Sequence, residues 1–369
     1  MNHKKIGFLT YHFANNYGAV LQAYALQEFF KEKGYNVEFI DYRSEAVEDR
    51  HRIFPYKKFQ KSSFIEKIKI IFSFFLFFFQ RRRRIVVFEQ FREKYLLRSK
   101  KYNDANLFGY FYDIFVIGSD QVWNPNVTNG FDNVYWGNFN SKKGSRKVTY
   151  AISSGSLDDL IDKEEFLKNT LSNFDLLSVR ENSLQSFIQP LTAKNVALVV
   201  DPTLLVNKEV FDKIAVKPQL KGPYILVYSK AGKESPYDDV AMTLAQRYNA
   251  KIVDIRSCHI KNRILHPNFI YYQASVEEFL GLFKYAEATI VSSFHGTVFS
   301  LLFRKNFYSV SGQNMDRIQT LLRKVGLEKR IVKNATELDY TPINYELVQH
   351  NLDTERVIAE EYITSVINL

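Results

Sequence analysis

The apolar positions of this chain fall into short runs separated by amphipathic stretches, the alternation expected of parallel strands joined by helices. Residues 5–9 (KIGFL) read as a first strand, a polar loop spans 10–18, and a helix covers about 19–33, where Gly34 stops it. Residues 36–41 (NVEFID) read as the next strand, which completes a βαβ unit. After an interruption the pattern resumes with strands at 115–118, 147–151, 176–179 and 196–200. Residues 206–223 carry Asn, Lys, Pro and Gly without clear period and read as a linker. A second alternation follows: strand 224–229, helix near 238–248, strand 251–255, a helix opened by Ser275 with Glu278 as its reciprocal cap, strand 288–291, helix 296–303. Residues 315–325 read as a helix closed by Gly326, and 343–367 as a helical tail packing back across the first domain. The predicted class is α/β, with two Rossmann-like domains facing a cleft: residues 1–205, residues 223–345, and 346–369 as the returning helix.

The interruption, about residues 55–101, changes the reading of charge. The chain has 369 residues and a formal charge of +10, which invites a nucleic-acid partner. Between Lys57 and Lys101, however, fourteen Lys and Arg meet three acids (Glu66, Glu89, Glu93), a local +11 that leaves the remainder near −1. The segment also holds the longest apolar run, 70–79, followed by Gln80 and Arg81, Arg82, Arg83 and Arg84. Ten helical residues rise only about 15 Å, half the roughly 30 Å hydrocarbon thickness. The run is therefore too short to span a bilayer as a simple helix. Phe74, Phe75, Phe77 and Phe78 beside four arginines suit partial insertion at an anionic membrane surface. A buried helix or a dimer contact is the alternative. Zinc-finger spacing and a helix-turn-helix pattern are both absent, so no nucleic-acid partner is expected.

Composition narrows the class further. Hydrophobic residues at 46% and charged residues at 24% describe a globular chain. The single Cys258 rules out a disulfide framework and fits a reducing compartment. The first residues run straight into a strand, with no apolar leader or small-residue cleavage site, so a cytoplasmic location is expected. Cys258, His259 and His266 form only a weak metal trio, and no phosphate-binding Gly-x-x-x-x-Gly-Lys loop or dinucleotide Gly-x-Gly-x-x-Gly occurs. Neither a metal nor a cofactor is expected.

In open α/β sheets ligands bind beyond the carboxyl ends of strands. Polar residues just after predicted strands are thus the candidates. In Ser292-Ser293-Phe294-His295-Gly296-Thr297 a strand ends in hydroxyls and a histidine just as a helix begins. Ser292, Ser293, Gly296 and Thr297 are placed to hold an anion, with His295 beside it for proton transfer; a packed histidine with capping serines is the alternative. Arg180, at a strand end, offers a planar fork to carboxylate or phosphate, or a surface salt bridge with Glu181. Arg317 sits in the first turn of a helix, where a cation is mildly unfavourable unless an anion is near. Gly118-Ser119-Asp120-Gln121-Val122-Trp123 and Asn15-Asn16-Tyr17-Gly18 are loops suited to a sugar or to plain turn chemistry. Asn16, Tyr17, Gly18, Gln121 and Trp123 are the acceptor candidates.

Together these segments, with Ser178-Val179-Arg180-Glu181, Asp201-Pro202-Thr203 and the Arg317 region with Leu321-Leu322, resemble the polysaccharide pyruvyl transferase family in order from about residue 5 to 330. The resemblance implies a fold like that of two-domain GT-B glycosyltransferases. It implies transfer of pyruvate from phosphoenolpyruvate to a sugar as a cyclic ketal, as in capsule assembly. It also implies a donor in the C-terminal half, with the family's arginine and histidine mapped onto Arg180 and His295. One departure is visible: some members carry an acidic residue where Ala19 follows Gly18 here. On this reading His295 relays a proton, Arg180 and Arg317 hold the donor, and Asp120 is the base for the sugar hydroxyl. His295→Ala and Arg180→Ala are each expected to fold normally and lose activity. The basic Phe-rich segment points to a polyprenyl-diphosphate-linked acceptor and a peripheral place at the inner face of the cell membrane. A nucleotide-sugar glycosyltransferase and a non-catalytic glycan-binding assembly protein are the rival functions.

Overall fold

The structure, a computed structural model, describes residues 4–102, 104, 108–229, 237–255, 268–310 and 315–369. Cys258, His259 and His266 lie outside the described residues, as does Asn314 at the head of the Arg317 segment. Among the described residues no group of three His, Cys, Asp or Glu could hold a metal ion. The chain divides into two compact units, Met1–Leu205 with Ala359–Leu369, and Val206–Ile358.

The first unit holds a seven-stranded sheet of β1 (Lys5–Leu9), β2 (Asn36–Tyr42), β3 (Arg98–Tyr102), β4 (Ile114–Asp120), β5 (Arg146–Ile152), β6 (Leu177–Val179) and β7 (Val196–Leu198). Their order is β3-β2-β1-β4-β5-β6-β7, and the pairs are parallel. The second unit repeats this winding with β8 (Tyr224–Tyr228), β9 (Lys251–Asp254), β10 (Ile270–Tyr271), β11 (Ala288–Val291), β12 (Asn306–Val310) and β13 (Ile331–Val332) in the order β10-β9-β8-β11-β12-β13. Both are Rossmann-type sheets, and each has a point where the strand order reverses: between β1 and β4, and between β8 and β11. The central strands are apolar because helices cover both faces; every residue of β8 and β11 is buried. β3 (RSKKY) lies inside the stretch read as an insertion and forms the sheet edge, where cations discourage pairing with another chain.

Local signals hold where they rest on side-chain chemistry. Ser275 and Glu278 form the reciprocal capping box of the Val276–Tyr285 helix. Asn16 caps the Tyr17–Glu32 helix, its Oδ1 accepting from the amides of Gly18 and Ala19. The stretch 206–223 is a packed part of the second unit. Its short helix Lys208–Asp212 buries Phe211 edge-on against Phe299 at 5.2 Å, and the amide of Val216 donates to Glu277 O. The tail is one helix, Tyr345–Ile367, whose last residues belong to the first unit. There the Tyr362 hydroxyl donates to Thr149 O at 2.6 Å, and Lys4 Nζ donates to Ile367 O.

The Phe-rich run is part of a 32-residue helix, Phe64–Tyr95, about 48 Å long. Its C-terminal part buries Phe88, Phe91 and Arg92 in the first unit. Further toward its start, Phe64, Ile68, Phe72, Phe75 and Phe79 recur at helical spacing on one exposed face; the last three are 69%, 72% and 79% exposed. The expected lipid-facing set is corrected accordingly. Phe75 is exposed, whereas Phe74, Phe77 and Phe78 are half-buried, because they lie on the opposite side, where Phe74 packs on Phe54 at 5.4 Å. Arg82, Arg83 and Arg84 are exposed, Arg84 also donating to Asn15 O, while Arg81 is half-buried and donates to Ile53 O and Ser73 Oγ. Among the described residues no helix is long and apolar enough to cross a membrane.

Candidate functional site

In the second unit the reversal point is lined by hydroxyls. Ser229 follows β8 and Ser292 follows β11, and their Oγ atoms lie 3.2 Å apart. β11 is read straight through this turn into the Phe294–Leu302 helix. Ser293 caps that helix by accepting from the Gly296 amide at 3.1 Å, and Thr297 Oγ1 donates to Ser293 O. Gly296 is required by packing: a Cβ there would lie 2.9 Å from Ser293 Oγ and 3.0 Å from Tyr228 and Val291. His295 follows in the first turn, almost fully buried, with its ring edge-on to Phe294 at 5.3 Å. First-turn amides, two strand-end hydroxyls and an imidazole are thus gathered in one turn, a composition suited to an anion and a proton. Ser293 and Thr297 serve the turn's own backbone, so Ser292 with Ser229 is the hydroxyl pair at the strand ends. Arg317 is half-buried in the first turn of the Asp316–Lys324 helix.

In the first unit the strand ends form a buried polar network. Asp201, fully buried after β7, accepts from Arg180, from Ser119 Oγ at 3.2 Å, and from the Thr203 amide and hydroxyl. Arg180 also faces Glu181 Oε1 at 3.5 Å and Asp120 Oδ1 at 3.9 Å, and its side chain is 2% exposed. Burial works against its charge, but Asp201, Glu181 and Asp120 outweigh it and hold its pKa above the usual guanidinium range. Arg180 is therefore neither a surface salt bridge nor an open anion ligand in this form. It ties three strand-end carboxylates together. Asp120 keeps some exposure at the rim, with φ of +70°. Ala151, on the neighbouring strand, has φ of +47°. Two non-glycine residues in the left-handed region at adjacent strand ends mark stored strain, which concentrates at working sites.

Several acceptor candidates take other places. Trp123 is buried, stacked on Trp136 at 4.4 Å and 5°, with its indole N–H donating to Tyr135 O. It is a core residue, because a large indole with one donor is satisfied inside. Tyr17 is buried against Phe88, and Gly18 is buried in the helix that Asn16 caps. Gln121 is half-buried, its Oε1 accepting from Asn124 at 2.9 Å.

The network also contains residues outside the sequence-derived candidates. Thr10 Oγ1 donates to Ser119 O and accepts from Gln22 Nε2, joining the ends of β1 and β4. His12 is fully buried, its Nδ1 3.1 Å from Thr10 O and its Nε2 3.7 Å from Asp41. Burial pushes the His12 pKa below its ordinary value, more than the Asp41 carboxylate raises it. Asp41 is disfavoured by burial, yet bonds from His12 and Arg43 hold its pKa well below the usual carboxylate range. The rule that polar residues follow strands applies to Leu9-Thr10 and Ile152-Ser153-Ser154 as it does to Ser292-Ser293.

Comparison with known proteins agrees with this architecture. Among solved structures, S. aureus MnaA with UDP is 11% identical, with 97% of this chain and 90% of that chain covered at a TM-score of 0.52. The UDP-N-acetylglucosamine 2-epimerase of Rickettsia bellii is 11% identical over 100% and 98% of the two chains, at 0.49. The glycosyltransferase SnogD of Streptomyces nogalater is 13% identical over 98% and 96%, at 0.40. The first of these shares the fold, and the two Rossmann-like units make the chain GT-B-like. No curated protein sequence matches. The family model for polysaccharide pyruvyl transferase matches residues 16–314, well over half of the chain and reaching from the Asn16 cap past the His295 turn. On that match the chain belongs to the polysaccharide pyruvyl transferase family.

Proposed function

We propose that the protein moves pyruvate from phosphoenolpyruvate to a sugar, closing a cyclic ketal on a precursor of a surface polysaccharide. The observation that carries this reading is the β11 turn, where Ser229, Ser292, a helix N-terminus and His295 gather. Phosphoenolpyruvate is a compact anion whose C3 must gain a proton before C2 becomes electrophilic. First-turn amides and the Ser292 hydroxyl suit its charged groups, and His295 suits the proton, a role worth about 10²–10⁴ in rate. One sugar hydroxyl then adds to C2 and loses its proton, for which the rim carboxylate Asp120 is the base. A second hydroxyl displaces phosphate, and its proton leaves with that phosphate. The products are the ketal and inorganic phosphate. Arg180 has a positioning role, holding Asp120 and Asp201, and Arg317 is a donor contact from the helix that follows β12.

The exposed Phe64, Ile68, Phe72, Phe75 and Phe79 face, with Arg82 and Arg83 beyond it, supports an acceptor carried on a polyprenyl diphosphate at the cytoplasmic face of an anionic membrane. The test is incubation of the protein with phosphoenolpyruvate and lipid-linked or nucleotide-linked glycans, with mass spectrometry for the added pyruvyl group and an assay for released phosphate. Pyruvylation of the lipid-linked glycan is the expected result, lost in His295→Ala. Turnover with a nucleotide-sugar donor, and none with phosphoenolpyruvate, would overturn the reading.

A further inference from the structure

We infer that a cavity in the first unit is a binding site for a diphosphate ester. The cavity measures about 420 Å³, and Asn15, Asp49, His51, Arg52, Arg81 and Arg84 are among its lining residues. Three guanidinium groups face one carboxylate there, a formal +2 with His51 neutral. Half-buried Arg81 and exposed Arg84 are held without neutralisation. Arg81 bonds Ile53 O at 3.3 Å and Ser73 Oγ at 3.0 Å, and Arg84 bonds Asn15 O at 2.7 and 3.1 Å. Among the described residues neither forms an ion pair; Arg52 does, with Glu48 at 3.4 Å and Asp49 at 3.7 Å. Arg84 is further fixed over the rings of Tyr17 and Phe88, at 5.3 and 4.9 Å. Arg81 and Arg84 sit three residues apart on one helix, so both project from the same side of it. Two planar forks without an ion pair in one open cavity match an anion of two phosphates better than a single carboxylate.

Two neighbours say what such an ester would carry at its ends. Phe74 and Phe78, both half-buried, precede Arg81 on the same side of that helix, so a prenyl chain leaving the cavity has an apolar track. Asn15 belongs to the loop that leaves β1, whose end is bonded through Thr10 to Ser119, next to Asp120. A sugar on the other phosphate would extend toward that rim. This last step rests on the proposed pyruvyl transfer; the anion site does not.

Calorimetry on the full chain in lipid-free solution, without phosphoenolpyruvate, separates the two. Inorganic pyrophosphate should bind, and Arg81→Gln should weaken it about tenfold, the size of one charge-assisted hydrogen bond. Arg82→Gln with Arg83→Gln, outside the cavity, should change it less than about twofold. Where Arg81→Gln fails to fold by circular dichroism, Arg52→Gln, whose side chain is more exposed, replaces it. Farnesyl diphosphate and UDP are the source arms. A gain for the prenyl ester that Phe78→Ser removes assigns the site to a lipid diphosphate, and a gain for UDP assigns it to a nucleotide; either upholds the site. Absence of saturable pyrophosphate binding, or equal losses in the Arg82/Arg83 variant, overturns it. Pyrophosphate binding without pyruvyl transfer would sink only the proposed reaction.

Discussion

Replacing Arg180 with alanine should unfold the first unit more readily, beyond any effect on turnover. The sequence alone predicts a normally folding variant. The structure places the guanidinium against Asp201, which is fully buried, with Glu181 also enclosed. Removing it strips Asp201 of this guanidinium and leaves the neutral hydroxyl and amide donors of Ser119 and Thr203 in place. Breaking a buried ion pair from one side costs about 3–5 kcal/mol, a large share of the roughly 5–15 kcal/mol that holds a domain. With a urea slope near 2 kcal/mol per M, the midpoint should fall by about 2 M. The assay is built in: the two tryptophans, Trp123 and Trp136, are stacked together in the first unit, so indole fluorescence reports that unit alone. Adding Asp201→Asn should recover part of the loss, because it removes the stranded charge. A midpoint within about 0.3 M of wild type would refute the buried-cluster reasoning and restore Arg180 as a candidate free for ligand.

Gly296→Val should destabilise the second unit by about 3 kcal/mol, since even one carbon would meet Ser293, Tyr228 and Val291 at 3.0 Å or less; calorimetric melting that is unchanged would mean the turn yields. Phe72→Ser, Phe75→Ser and Phe79→Ser together should lower affinity for phosphatidylglycerol vesicles about a hundredfold or more while leaving the melting temperature alone, because these rings are exposed. Sedimentation equal to wild type would remove the membrane role of this face. Stability should also drop on acidification. His12 has a lowered pKa when folded, so its contribution is complete above the unfolded value of 6.5 and is lost as pH falls from there toward the folded pKa. Asp41, also lowered, adds a second loss below 3.8. His12→Gln should flatten the stability–pH slope between pH 7 and 5, and an unaltered slope would show that folding leaves the His12 pKa where it lies in the unfolded chain.

The winding of the two sheets was legible because central parallel strands are unbroken apolar runs, as in KIGFL and ATIV, and because Ser275 and Glu278 announce a helix start by their own chemistry. Edge strands were not. RSKKY in β3 has no apolar face to betray it; Asn306–Val310, an inner strand between β11 and β13, was missed because it follows a helix too closely for its pattern to separate. The strand-end rule found Ser292 and Arg180 but could not give their surroundings. Whether a guanidinium meets solvent or three carboxylates depends on residues 21 and 60 positions away, Asp201 and Asp120, which only the fold brings near. Trp123 and Tyr17 were misjudged for a related reason: an aromatic in a polar loop sequence is still free to turn inward. The Phe-rich run was recognised as unusual, yet which rings face out is set by the phase of a helix that starts at Phe64, six residues before the run.

The final residues of the chain complete the first unit, through Tyr362 on Thr149 and Glu360 on Lys33. On a ribosome adding about 5–20 residues per second, the first 205 residues would wait roughly 8–30 s for that closing piece. The whole of the second unit is translated in the interval. A nascent chain therefore spends this time with the seat for Tyr362 vacant, and a stop codon after residue 358 would leave the intact second unit tethered to an unfinished first one.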